Sequence, residues 1–95
     1  MFVNDPILLA KKLITFQSVT PEDGGSLEYV RSQLKDSKFS CNLFVENNVK
    51  NLFARWKPEK TYEKTIAFNG HVDVVHPGDP KQWKYGAFSG EIKSG

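Results

Sequence analysis

The feature that most restricts the fold is a short run, Thr65-Ile66-Ala67-Phe68, set between Lys64 and Asn69-Gly70. It is too brief for a helix and mostly apolar, the pattern of a strand buried on both faces. Such a strand needs sheet neighbours and a covering layer of helices, so it predicts an α/β architecture. The segments before it supply candidates for both. Asp5-Pro6 reads as an N-cap followed by proline at the first helical position. Leu9, Leu13 and Phe16 then recur at helical spacing, which predicts a helix over 5–16. Gln17 to Gly25 is rich in turn formers and reads as a loop. Ser26 is placed to cap a second helix reaching about Ser37, with Leu27, Val30 and Leu34 as its buried stripe.

Phe39 to Val45 reads as a strand whose inner face is ambiguous. Phe39, Cys41 and Leu43 alternate, but Phe44 and Val45 interrupt the pattern. Residues 47–51 read as a turn and Leu52 to Trp56 as a second strand, so the two could form a hairpin. Pro58 to Glu63 is a polar link. Val75 to Tyr85, with two prolines and one glycine, is an irregular segment, Phe88 to Lys93 a candidate last strand, and Ser94-Gly95 the start of a turn. The expected architecture is helices packed on a partial mixed sheet.

With 95 residues, one small domain is the ceiling, with a modest core and a stability margin of about 5 kcal/mol. A net charge of +2, with Lys and Arg scattered, gives no case for nucleic acid. No apolar run approaches the length of a membrane span, and the amino terminus lacks the basic and apolar regions of a signal peptide. The lone cysteine, Cys41, excludes an intrachain disulfide and reads as a small core residue. A cytoplasmic location is expected.

Chemistry concentrates just after the apolar run, in Gly70-His71-Val72-Asp73. Side chains two apart on an extended chain share a face, so an imidazole and a carboxylate stand together at the carboxyl end of the expected central strand. Open α/β sheets place their active sites there. Imidazole is a common zinc ligand, and a carboxylate accepting from its second nitrogen fixes the tautomer. On residue types alone the pair is weak, because a surface histidine beside a turn aspartate is common. Gly70 would let a ligand approach the backbone closely. Asp79, in Pro-Gly-Asp-Pro, reads as a turn residue, Trp83 and Phe88 as loop anchors, Thr20 as a turn or capping residue, and His76 as a solvated loop histidine. Glu22 and Asp23 lack a carboxylate partner at a spacing suited to acid–base work.

Gly70-His71-Val72-Asp73-Val74-Val75, followed by Pro77-Gly78-Asp79, Trp83 and Phe88, resembles the first metal-binding motif of the zinc-dependent aminoacylase and carboxypeptidase superfamily. Ser18-Val19-Thr20-Pro21 with Asp23 and Gly25, and Asn51-Leu52-Phe53-Ala54-Arg55, resemble its succinyl-diaminopimelate desuccinylase branch. The likeness runs from about residue 6 to residue 95. It implies that His71 is a metal ligand and that Asp73 is the catalytic-site carboxylate that orients it. The implied cofactor is zinc, two ions in the complete enzyme, with cobalt as a substitute. The implied reaction hydrolyses N-succinyl-LL-2,6-diaminopimelate to succinate and LL-2,6-diaminopimelate, in the synthesis of lysine and peptidoglycan precursors.

Four positions depart from the family pattern. Gly86-Ala87 stand where the family usually has two prolines, His76 where it often has one, and Ser94 where a turn aspartate is usual. The resemblance places residues 1–95 in the amino-terminal portion of the catalytic domain, without the remaining ligands, the general base or the dimerisation domain. Alone, the chain is expected to be inactive and to bind zinc weakly. It is also expected to self-associate or pair with a complementing polypeptide through its unfinished sheet. The substrate would be a small acylated amino acid. The alternatives are a fragment of a related deacylase, resembling acetylornithine deacetylase, or of a dipeptidase, or a non-catalytic remnant of a split gene.

Overall fold

The computed structural model describes residues 3–95. Its regular elements lie in the first 55 residues. Helix α1 spans Pro6–Ile14, helix α2 Ser26–Asp36, strand β1 Ser40–Glu46 and strand β2 Val49–Arg55. A single 3-10 turn, Pro80–Gln82, follows in the carboxyl-terminal half.

α1 starts as its cap dictates. The Asp5 carboxylate accepts from the Ile7 and Leu8 N–H groups, and Pro6 occupies the first turn, where its missing N–H costs nothing. Its end is earlier than expected. The Thr15 hydroxyl donates to the Lys12 carbonyl at 2.6 Å, closing the helix there. α2 corrects the expected cap. Its N-cap is Gly25, at φ 91°, and Ser26 is the first helical residue, its hydroxyl turned back to donate to the Asp23 carbonyl. Phe16 and Tyr29 join the helices, with ring centres 5.6 Å apart, and the Lys12 ammonium lies over both rings.

β1 and β2 form an antiparallel hairpin with Glu46 opposite Val49 and Leu43 opposite Leu52. The turn is two residues rather than the expected five. Asn47 and Asn48 both take positive φ (49° and 64°), as the twist-matched hairpin turn requires and asparagine tolerates. Strand pairing therefore resumes at Val49. The ambiguous face is settled: Cys41, Leu43, Leu52 and Ala54 are half-buried, while Phe44 and Phe53 face outward.

The expected central strand does not form. Thr65–Phe68 is unpaired, with Ile66 81% and Phe68 97% exposed. The two-stranded sheet is the hairpin alone, and neither of its edges receives this segment. A strand of this composition is stable only between neighbours, and the described residues supply none. Phe88–Lys93 is not a strand either. Here Gly90 lies against α1 at φ 62°, where a Cβ would come within 2.7 Å of the Lys11 carbonyl oxygen, so the chain crosses the helix instead of pairing. The modest core is also absent: no hydrophobic side chain is fully buried among the described residues. The architecture is a small α/β arrangement of two helices and an antiparallel hairpin, followed by a carboxyl-terminal half without further strands among the described residues. No helix of the described residues is long and apolar enough to cross a membrane.

Candidate functional site

The link between the halves lies at the loop after α1. Val19 and Val74 form an isolated parallel bridge. The Val74 N–H donates to the Ser18 carbonyl at 2.9 Å, and the Thr20 N–H donates to the Val74 carbonyl at 3.0 Å. The Ser18 hydroxyl adds a third bond, donating to the Val72 carbonyl at 2.7 Å. Ser18 is 2% exposed. The loop that carries it is tight. Gly24 takes φ 58°, and a Cβ there would fall 2.6 Å from the Gln17 carbonyl oxygen, so only glycine lets the loop close. Asp23 ties the loop to β2 through Lys50 at 3.2 Å.

This clamp holds His71 and Asp73 on either side of Val72. The His71 Nδ1 lies 2.8 Å from Asp73 Oδ1 and 3.1 Å from the Asp73 carbonyl oxygen. Neither oxygen of an ionised aspartate can donate, so Nδ1 carries the proton and donates to both. In the neutral ring Nε2 then keeps its lone pair, the state a metal ligand needs. The imidazole is 83% exposed, so that nitrogen is open to approach. The Asp73 carboxylate accepting from Nδ1, then the Asp73 carbonyl, then the carboxylate's charge hold the His71 pKa above its usual 6.5.

The pair borders an open, mostly apolar cleft of about 810 Å³. Ala10, Leu13 and Ile14 of α1 form one wall, and Val72 to Pro77 with Trp83 and Phe88 form the other. His76 lines the same cleft, but its Nδ1 accepts locally from the Gly78 N–H at 3.1 Å. Trp83 anchors its loop by donating from Nε1 to the Pro77 carbonyl at 2.9 Å, and Asp79 caps the following turn by accepting from the Lys81 N–H. Gly86-Ala87 lie in a closed turn, with the Ser89 N–H donating to the Gly86 carbonyl. Gly70 meets no neighbour within 4 Å, so nothing within the described residues requires glycine there.

The donor set falls short of a metal site. Zinc sites use four ligands, or three and a water. No group of three or more His, Cys, Asp or Glu side chains among the described residues is placed to hold an ion. His71 is oriented as one ligand would be, and these residues alone do not fit zinc.

Comparison with known proteins gives the context of that pair. No family model matches the chain. Among curated proteins, it is 42% identical over 92 residues to a succinyl-diaminopimelate desuccinylase of Wolbachia pipientis wMel, covering 96% of this chain and 22% of that protein. It is 44% identical over 91 residues to that of Cereibacter sphaeroides (strain ATCC 17029 / ATH 2.4.9), and 42% identical over all 95 residues to succinyl-diaminopimelate desuccinylase 1 of Ruegeria sp. (strain TM1040). The chain is a homologue of the succinyl-diaminopimelate desuccinylases. It spans about a quarter of the length of these relatives.

The closeness of His71 and Asp73 was legible from their two-residue spacing. Ser18 was not singled out by its own chemistry. A hydroxyl in a turn-rich loop is ordinary, and the carbonyl that it meets lies 54 residues away.

Proposed function

We propose that residues 1–95 are the amino-terminal portion of the catalytic domain of a zinc-dependent amide hydrolase of the succinyl-diaminopimelate desuccinylase type. In that enzyme His71 is a metal ligand and Asp73 fixes its tautomer. The observation that carries this reading is the short Nδ1–Asp73 contact, which leaves Nε2 outward and free, in a chain with desuccinylase homology over at least 96% of its length. The substrate class is an N-succinylated diamino acid, and the remaining ligands and the general base come from polypeptide beyond these residues. Taken by themselves, residues 1–95 do not hydrolyse substrate, because one imidazole is too few ligands for a catalytic ion.

In the same reading, Ile66 and Phe68 enter the enzyme's central sheet when further polypeptide, or a second copy, pairs with them. Their exposure and unpaired backbone support this. A clean, stable monomer on size exclusion counts against it. The decisive test mixes the chain with a polypeptide corresponding to the remaining three quarters of the Ruegeria relative, adds zinc or cobalt, and follows hydrolysis of succinyl-diaminopimelate. Turnover that His71→Ala abolishes supports the proposal. A stable complex with no turnover, or turnover by residues 1–95 alone above the His71→Ala control, overturns it.

A further inference from the structure

We infer that Ser18 is a positioning residue for the His71–Asp73 pair, acting through the Val72 carbonyl. This rests on the reading of that pair as the functional one. Both hydrogen bonds of His71 go to Asp73, so the pair has no other side-chain anchor among the described residues. Its geometry therefore depends on the backbone that carries it, residues 71–73. That backbone belongs to no ladder: it follows the unpaired segment 61–70 and precedes an irregular loop. What holds it is the loop after α1, by two backbone bonds at Val74 and by the Ser18 hydroxyl at Val72.

The hydroxyl bond is the one that acts between the two functional side chains. The carbonyl that it engages belongs to the peptide joining Val72 to Asp73, so the bond restrains rotation of the plane between those two residues. Of the two bonds at Val74, that of the Val74 N–H fixes the next plane, which carries the Asp73 carbonyl, and that of the Val74 carbonyl acts beyond it. Ser18 is fit for this because it is itself fixed. It is buried, its N–H donates to the Phe16 carbonyl at 2.9 Å, and the closed Gly24 turn stands against Gln17 beside it. Alanine would fill nearly the same space but leave the half-buried Val72 carbonyl without this donor.

The test reads the tautomer of His71 at one fixed pH, about 9, where an imidazole is neutral. Long-range proton–nitrogen correlation on labelled chain distinguishes Nδ1–H from Nε2–H without metal or substrate. A failure of the hydrolase reading is therefore separable from a failure of this one. Wild type shows mainly Nδ1–H, the form that Asp73 selects. In Ser18→Ala the Nδ1–H to Nε2–H ratio falls about fivefold, the shift that losing one ordinary hydrogen bond brings, while the α1, α2 and hairpin resonances stay in place. Ser18→Thr keeps the hydroxyl and restores the ratio. An unchanged ratio in Ser18→Ala overturns the inference. So does loss of the helix and hairpin resonances in Ser18→Ala and in a matched Ser18→Val, since the hydroxyl would then be a general requirement of the fold.

Discussion

Residues 5–56 and residues 57–95 are built on different terms. In the first region every element closes on near neighbours: a cap two or three residues away, a two-asparagine turn, a hairpin, and one aromatic contact between successive helices. In the second, the longest apolar run stands open to solvent, and order comes from a few bonds to the first region. Local closure needs little chain entropy and can be completed within one fragment, whereas a central strand gains nothing until its neighbours are present. The two regions should therefore differ in how they respond to perturbation.

The largest contrast should appear in amide hydrogen exchange. The hairpin ladder is expected to be protected, while amides over 61–70 exchange at nearly the rate of an unstructured chain. Comparable protection in both would break the distinction. Next in size is Gly24→Ala. The positive φ and the 2.6 Å approach to Gln17 predict destabilisation of roughly 2 kcal/mol or more, seen as a lower midpoint in denaturant. Because that loop also clamps Val72 to Val74, the His71 loop should loosen with it. Asp5→Ala removes the α1 cap and should cost about 1 kcal/mol, read by circular dichroism, with little effect on the hairpin.

The smallest effect on the fold is expected from Asp73→Asn, whose consequence is instead electrostatic. His71 should titrate above 6.5 in the parent and move back toward 6.5 in the variant, as followed by its ring resonances. The sign is set by linkage. A pKa raised on folding contributes stability fully below pH 6.5 and loses it as pH rises through the raised value. A His71 that titrates at or below 6.5 in the parent would remove the pair from the account.

The same division explains what was legible in the sequence. The α1 start, the α2 span and the hairpin were readable because Asp5-Pro6, the Leu27-Val30-Leu34 stripe and Asn47-Asn48 carry signals within a few residues. The misplaced α2 cap is a local competition, with the Ser26 hydroxyl finding the Asp23 carbonyl before a helical N–H. Thr65–Phe68 has the composition of a buried strand, but composition states what a segment requires and not whether its neighbours are there. His71 and Asp73 were readable as a pair because two-residue spacing on extended chain is local. The clamp upon them was not, since Ser18 and Val72 meet across 54 residues.

The indole bond described at Trp83 gives the molecule an optical asymmetry. Trp83 is tethered to the Pro77 carbonyl on the His71 loop, and the other tryptophan, Trp56, sits just past the end of β2. One fluorophore thus stands in each region. With Trp56 replaced by phenylalanine, emission would follow the His71 loop alone, so its detachment from the helix–hairpin unit could be timed separately from unfolding of the whole chain.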